Sequence, residues 1–168
     1  MLYLKRLSFT DGEDIYQMLQ EILPDDNGFH NKAYGMTYEQ YRIWLQNEYE
    51  VDNGKLEDWM VPQSSYWLYE DDIPVGYGRI RHYLNDFLKE NSGHIGYAIR
   101  KSMRGIGYGK KLLELLVKEC AELGIESIQL SANIDNVASN KAIKYNGAIL
   151  IRSTLQKNFY IIKAKKTD

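Results

Sequence analysis

The stretch Gly93-His94-Ile95-Gly96-Tyr97-Ala98-Ile99-Arg100-Lys101-Ser102-Met103-Arg104-Gly105-Ile106-Gly107-Tyr108-Gly109-Lys110-Lys111 reads as a strand, a tight glycine loop and the first turn of a long amphipathic helix. Gly105, Gly107 and Gly109 alternate with other residues where the chain must turn and present backbone amides. Glycine suits both needs, because it tolerates positive φ and lets a ligand approach the main chain. A helix leaves its first N–H groups unpaired and carries the positive end of its dipole there. Together these features make an anion site suited to phosphate, and Arg104 and Lys110 add positive charge beside it. The stretch therefore predicts a phosphorylated ligand.

Two familiar loops are excluded by spacing. A dinucleotide loop needs Gly-x-Gly-x-x-Gly, but counting from Gly105 the sixth place is Lys110. A nucleoside-triphosphatase loop needs Ser or Thr after Gly-Lys, and Lys111 stands there. What remains is Arg-x-x-Gly-x-Gly at Arg104, Gly107 and Gly109, with Asn136 and Gly147 further on. This pattern resembles the coenzyme A pyrophosphate loop of the GNAT acetyltransferases. The likeness covers residues 64–164, whereas the first sixty residues match only in the order of their elements. Gly-His-Ile-Gly-Tyr at 93–97 and Asp-Asn-x-x-Ser at 135–139 resemble a bacterial branch of that superfamily.

Composition sets bounds of its own. A chain of 168 residues with 44% hydrophobic and 26% charged residues is expected to be one soluble globular domain spanning 1–168. A net charge of −2 argues against binding nucleic acid by bulk electrostatics. The lone cysteine, Cys120, cannot form an internal disulfide and falls at an apolar helical position. With no signal-peptide layout and no membrane-length apolar run, the expectation is a cytoplasmic protein away from membranes. No metal is expected.

Along the chain, residues 2–9 read as a strand. Thr10 or Asp11 is expected to cap a helix bearing Ile15, Met18, Leu19 and Ile22. A loop at 24–36 leads to a helix from Thr37 to about Tyr49, with Gln40 in the capping-box place. Runs 64–70 and 73–83, joined by Asp71-Asp72, signal a hairpin. A connection with some helical character precedes the 93–100 strand. After the glycine loop, Leu112, Leu113, Leu116, Cys120 and Leu123 make an apolar stripe that Gly124 ends. A strand around Ile128, Leu130 and Ala132 leads to a helix capped by Asp135. Strands near 148–154 and 157–164 follow, and Lys163–Asp168 is expected as a solvated tail. The resemblance implies an α+β fold, a mostly antiparallel mixed sheet of about seven strands flanked by about four helices.

What the resemblance implies chemically is acetyl transfer from acetyl-CoA to a primary amine within a ternary complex, releasing coenzyme A. The alternative is a non-catalytic acyl-CoA-binding or regulatory module of the same fold. Cofactor binding is expected from the backbone of Arg104, Gly105, Ile106, Gly107, Tyr108, Gly109 and Lys110. A backbone N–H near Ile99 is expected to polarise the carbonyl, Arg100 to join the cofactor-binding residues, and Asn136 and Ser139 to touch the pantetheine arm. His94 stands near where relatives often carry an acidic base. Its ordinary pKa of about 6.5 leaves it able to accept a proton, so it is the candidate catalytic residue. His82 is a weaker rival, and His30 reads as loop surface. The helical tyrosine that serves many relatives as general acid is replaced by Ile143. Tyr145, two residues on, points elsewhere at about 100° per residue and reads as packing beside Ala138 and Ala142. For the acceptor, the tyrosine cluster Tyr34, Tyr38 and Tyr41 with Trp44 could wall a groove or pack a core. Asp25, Asp26, Asp71 and Asp72 could attract a cationic amine. Members of the superfamily often form homodimers, which the resemblance leaves open here.

Overall fold

The structure, a computed structural model, describes residues 1–165; residues 166–168, half of the expected tail, lie outside the described residues. Strands β1 (Leu2–Arg6), β4 (Gln63–Glu70), β5 (Ile73–Arg81) and β6 (Ile95–Ile99) form one antiparallel sheet in the order β1-β4-β5-β6. A second, three-stranded sheet has the order β7-β9-β8, from β7 (Ser127–Asn133), β8 (Ile149–Ser153) and β9 (Lys157–Lys163). The helices are α1 (Glu13–Leu19), α2 (Tyr38–Asp52), α3 (Asp86–Asn91), α4 (Tyr108–Glu122) and α5 (Val137–Tyr145). The expected α+β fold holds, with seven long strands divided between two sheets and α3 added to the four helices. The loop at 24–36 adds a tiny hairpin, β2 (Asp25–Asp26) with β3 (Phe29–His30).

Alternation along β4 divides the core in two, because successive strand side chains face opposite ways. Tyr66 and Leu68 face the α4 side, where they join Leu112, Leu113, Leu116, Cys120 and Ile143. Trp67 and Tyr69 face the other side and join Ile15, Met18, Leu19, Tyr41 and Trp44 from α1 and α2. Leu123, expected in the α4 stripe, is instead substantially exposed, because the helix stops there and Gly124 turns the chain at φ 82°. The capping box at the start of α2 forms as expected, with both Thr37 and Gln40 side chains engaged. Two other caps shift by a residue: Gly12 precedes α1, and Asn136, not Asp135, caps α5. Asp11 is diverted into the core, where it accepts from Ser8 N–H and the Trp67 indole N–H, both at 2.7 Å.

Candidate active site

The site begins where the two sheets part. Arg100 N–H donates to the Val75 carbonyl at 3.0 Å and Arg81 N–H to the His94 carbonyl at 2.7 Å. These bonds put the even-numbered backbone groups of β6 on the β5 side, so the N–H groups of Tyr97 and Ile99 face the opposite edge. That edge meets β7 at one place. His94 N–H donates to the Gln129 carbonyl at 2.8 Å, and Gln129 N–H donates back to His94 Nδ1 at 3.0 Å. Gly93 is required at this junction, since a Cβ there would lie 2.4 Å from the Gln129 carbonyl oxygen. Beyond it, the C-terminal halves of both strands line one cleft of about 750 Å³, so they run in the same direction and splay.

One half of the cleft is backbone. Gly105 and Gly107 hold φ of 81° and 96°, and Gly107 opens α4 with no side-chain cap. Among the described residues, none of the N–H groups from Gly105 to Lys110 donates to a protein acceptor. Lys111 N–H is the first to be satisfied, by the Gly107 carbonyl at 3.3 Å. Six successive free amides, Arg104 and Lys110 on the rim, and the positive end of a fifteen-residue helix match the size and charge of a pyrophosphate. Across from them, Asn136 accepts from Ser139 N–H at 3.2 Å, while Ser139 Oγ and the Tyr97 hydroxyl share a hydrogen bond of 3.1 Å. The arrangement fits coenzyme A, with diphosphate at the loop and the arm between the parting strands.

The expected cofactor residues separate into two groups. Ile99, Arg104, Gly105, Gly107, Tyr108, Gly109, Lys110, Asn136 and Ser139 all line the cleft. Arg100 and Ile106 do not. Arg100 is committed elsewhere: its guanidinium is ion-paired with Glu21, with Nε at 2.7 Å, and also donates to the Pro74 carbonyl at 2.9 Å. Burial pushes the Glu21 carboxyl up, but hydrogen bonds from Arg100 and Ser102 outweigh it and hold the group below its ordinary value. The Ile106 side chain points to solvent.

His94 does not line the cleft either. Its Nδ1 is taken by the Gln129 amide, and burial lowers its pKa, so the ring is a neutral pin between β6 and β7. This corrects the expectation of a base in the cleft. His82 is likewise engaged, its Nε2 lying 2.8 Å from Ser64 Oγ. His30 is exposed but, unlike the other two imidazoles, lines the cleft. Tyr145 is exposed with Lys110 Nζ 4.7 Å from its ring centroid, rather than packed against the alanines. Ile143 is fully buried in the core. Three of the four acidic turn residues have partners: Asp25 accepts from Gly28 N–H at 2.7 Å, Asp26 pairs with Arg104, and Asp71 binds the N-terminal ammonium. Of the aromatic cluster, Tyr41 and Trp44 are core residues, and neither Tyr34 nor Tyr38 lines the cleft.

Sequence reasoning missed the other half of the cleft. Phe29 lies over Gly96 and packs edge-on against Tyr77 at 4.9 Å. Arg79 stands 5.1 Å from the Phe29 ring and 5.4 Å from Tyr77, and donates to the Tyr77 hydroxyl at 2.9 Å. Tyr97 was missed too, although its odd-numbered place beside Ile99 follows from strand alternation. Burial raises its phenol pKa and keeps it protonated.

Comparison with known proteins agrees with this geometry. The model of the acetyltransferase (GNAT) family matches residues 15–147. No curated protein matches in sequence. Among solved structures, RimL, a ribosomal L7/L12 alpha-N-protein acetyltransferase in complex with coenzyme A, is similar at 17% identity and a TM-score of 0.70, over 99% of this chain and 96% of that one. PseH, the N-acetyltransferase of Campylobacter jejuni in complex with acetyl coenzyme A, aligns at 11% identity and a TM-score of 0.66, over 97% and 99%. An acetyltransferase from Salmonella typhimurium that modifies the N-terminal serine of L7/L12 aligns at 18% and 0.65, over 96% and 94%. The glycine loop with its free amides, the splayed strands and the family match across most of the chain lead to one assignment: the chain belongs to the acetyltransferase (GNAT) family, as an N-acetyltransferase that uses acetyl-CoA.

Proposed function

We propose that the chain transfers an acetyl group directly to a primary amine of its acceptor, with donor and acceptor bound together across the split between the sheets. The observation that carries this reading is the run of free amides from Gly105 to Lys110, opening on the same cleft as the free edge of β6. Acetyl-CoA supplies a thioester with an electrophilic carbonyl and a thiol leaving group.

The loop amides hold the diphosphate, each charge-assisted hydrogen bond being worth about 1.5–3 kcal/mol. Asn136 and Ser139 border the arm. The N–H groups of Tyr97 and Ile99 are the donors for developing charge on the carbonyl oxygen. An ammonium cannot attack until it loses its proton, and we assign that proton to His30, the one imidazole lining the cleft. The new N–C bond forms as the C–S bond breaks; the Tyr97 hydroxyl gives its proton to the departing sulfur, and the surplus proton on the newly acylated nitrogen replaces it, leaving a neutral amide and a neutral phenol. His94 acts as a positioning residue that sets where the strands begin to part. Tyr97 thus supplies from β6 the phenol that Ile143 lacks on α5, which favours an enzyme over a pure binding module.

The acceptor class is open to peptide and small-molecule amines alike; RimL and PseH are the relevant structural relatives. Neither nucleic acid nor membrane enters this proposal. No helix among the described residues is long and apolar enough to cross a membrane. A thiol-release assay with acetyl-CoA and a panel of amines tests it. Amine-dependent release of coenzyme A is expected, while tight binding of acetyl-CoA with no release across the panel would leave only a binding module.

A further inference from the structure

The lining of the cleft holds more cationic than acidic side chains. Among the described residues, six cationic side chains line the cleft, Arg79, Arg81, Arg104, Lys110, Lys141 and Lys157, against a single carboxylate, Asp26. Asp26 is already paired with Arg104. Lys110 belongs to the diphosphate end with Arg104, whereas Arg79 and Arg81 share one face of β5, two residues apart and beneath the β2–β3 hairpin.

Neither arginine has an ion-pair partner within 4 Å among the described residues. Arg79 makes one hydrogen bond, to the Tyr77 hydroxyl, and its Nε is buried with no acceptor. Arg81 is fixed by neutral partners, Ser92 Oγ and the Gly93 carbonyl, each at 3.0 Å. The nearby carboxylates act on Arg79 only from a distance: burial lowers its pKa and Tyr77, Glu48 and Asp52 together hold it up, but neither carboxylate comes within ion-pair reach. Asp52 is occupied by the Ser65 N–H and hydroxyl and by Gln63. Glu48 on α2 forms no ion pair among the described residues, and burial raises its pKa against the opposing pull of Arg79 and Lys32. Burial, together with the neighbouring Arg79 charge, lowers Arg81 to about 10.

Removing a cation from water without a partner is costly, so such a group persists where something else offsets it. A guanidinium fork matches the two oxygens of a carboxylate or phosphate. We propose that Arg79, with Arg81 behind it, is the recognition site for an anionic group, carboxylate or phosphate, on the amine-bearing acceptor. This inference rests on the acetyltransferase reading above and names the chemistry of its acceptor. The register adds a length. Arg79 pairs with Gly96, one and three residues from Tyr97 and Ile99, so at about 3.3 Å per residue its backbone stands within about 10 Å of those two amides along the strand.

The test is calorimetric titration of the protein preloaded with coenzyme A, which covers the amide loop, using three related probes. Ethanolamine is the neutral-substituent reference, L-serine adds a carboxylate, and O-phosphoethanolamine adds a phosphate. At least one anionic probe is expected to bind tenfold or more tightly than ethanolamine. Preference for serine assigns the carboxylate, and preference for O-phosphoethanolamine assigns the phosphate. In Arg79→Met the preference is expected to fall to within twofold. If that variant does not take up coenzyme A, Arg79→Lys carries the test, and its preference should fall at least threefold because the fork is lost. Equal affinity for all three probes, absence of binding included, overturns the inference, as does a preference that survives these substitutions. Failure of the wild-type protein to load with coenzyme A overturns the acetyltransferase reading itself, so the two failures are distinguishable.

Discussion

On the cofactor side of the cleft the ligand-facing groups are backbone amides, from Gly105 to Lys110, delivered by one continuous loop and helix. On the acceptor side they are side chains, Phe29, His30, Arg79 and Arg81, drawn from a hairpin and a strand about fifty residues apart in sequence. The first kind of surface is set by chain geometry and tolerates variation in side chains other than its glycines. The second can be rebuilt by changing a few residues without touching the fold. That contrast explains how one scaffold can keep its donor while its acceptor varies.

Substitutions can break this contrast, beginning where the backbone matters most. Gly107→Ala meets no protein atom within 4 Å of its new Cβ, so the fold loses only the cost of holding φ at 96°, about 1–2 kcal/mol. The added methyl does obstruct the approach of a diphosphate. Acetyl-CoA affinity is expected to fall about 100-fold by calorimetry, equivalent to losing one or two charge-assisted hydrogen bonds. Tyr97→Phe removes the proton donor while keeping the ring under α4, and kcat is expected to fall about 30- to 100-fold with little change in the acetyl-CoA KM. Equal losses in binding and turnover would instead make Tyr97 a packing residue.

Two further effects concern the ties that hold the halves together. Glu21→Gln removes the carboxylate that anchors Arg100 at the end of β6, and chemical denaturation is expected to show a loss of about 2 kcal/mol. Because the folded carboxyl lies below its ordinary value of 4.5, this contribution is present above that pH and fades as the pH falls through the folded value. The smallest effect belongs to His94. Its folded pKa lies below 6.5, so the unfolded chain binds more protons and stability declines as pH falls from 6.5 towards the folded value. His94→Gln should flatten that decline in a thermal-melting series.

The same contrast governs what could be read before the structure. Gly105, Gly107 and Gly109 announced the loop because glycine spacing directly reports backbone conformation, and Thr37 with Gln40 announced a cap whose partners lie three residues apart. Asp11 failed as a helix cap because its partner, the Trp67 indole, is 56 residues away and took the carboxylate into the core. His94 looked available for catalysis because sequence does not reveal the Gln129 amide on its Nδ1. Arg79 and Arg81 went unread, although two arginines at alternate positions in an otherwise apolar strand are a signal. Their missing counter-ions are visible only once α2 and the hairpin are in place.

The central claim is that a diphosphate rests on the free amides at the start of α4. A proton–nitrogen correlation spectrum recorded while coenzyme A is added tests it most directly. The account predicts that the amide resonances of Gly105 through Lys110 move furthest and downfield, with smaller changes at Tyr97 and Ile99. Binding of coenzyme A that leaves these six resonances in place while others shift would contradict it.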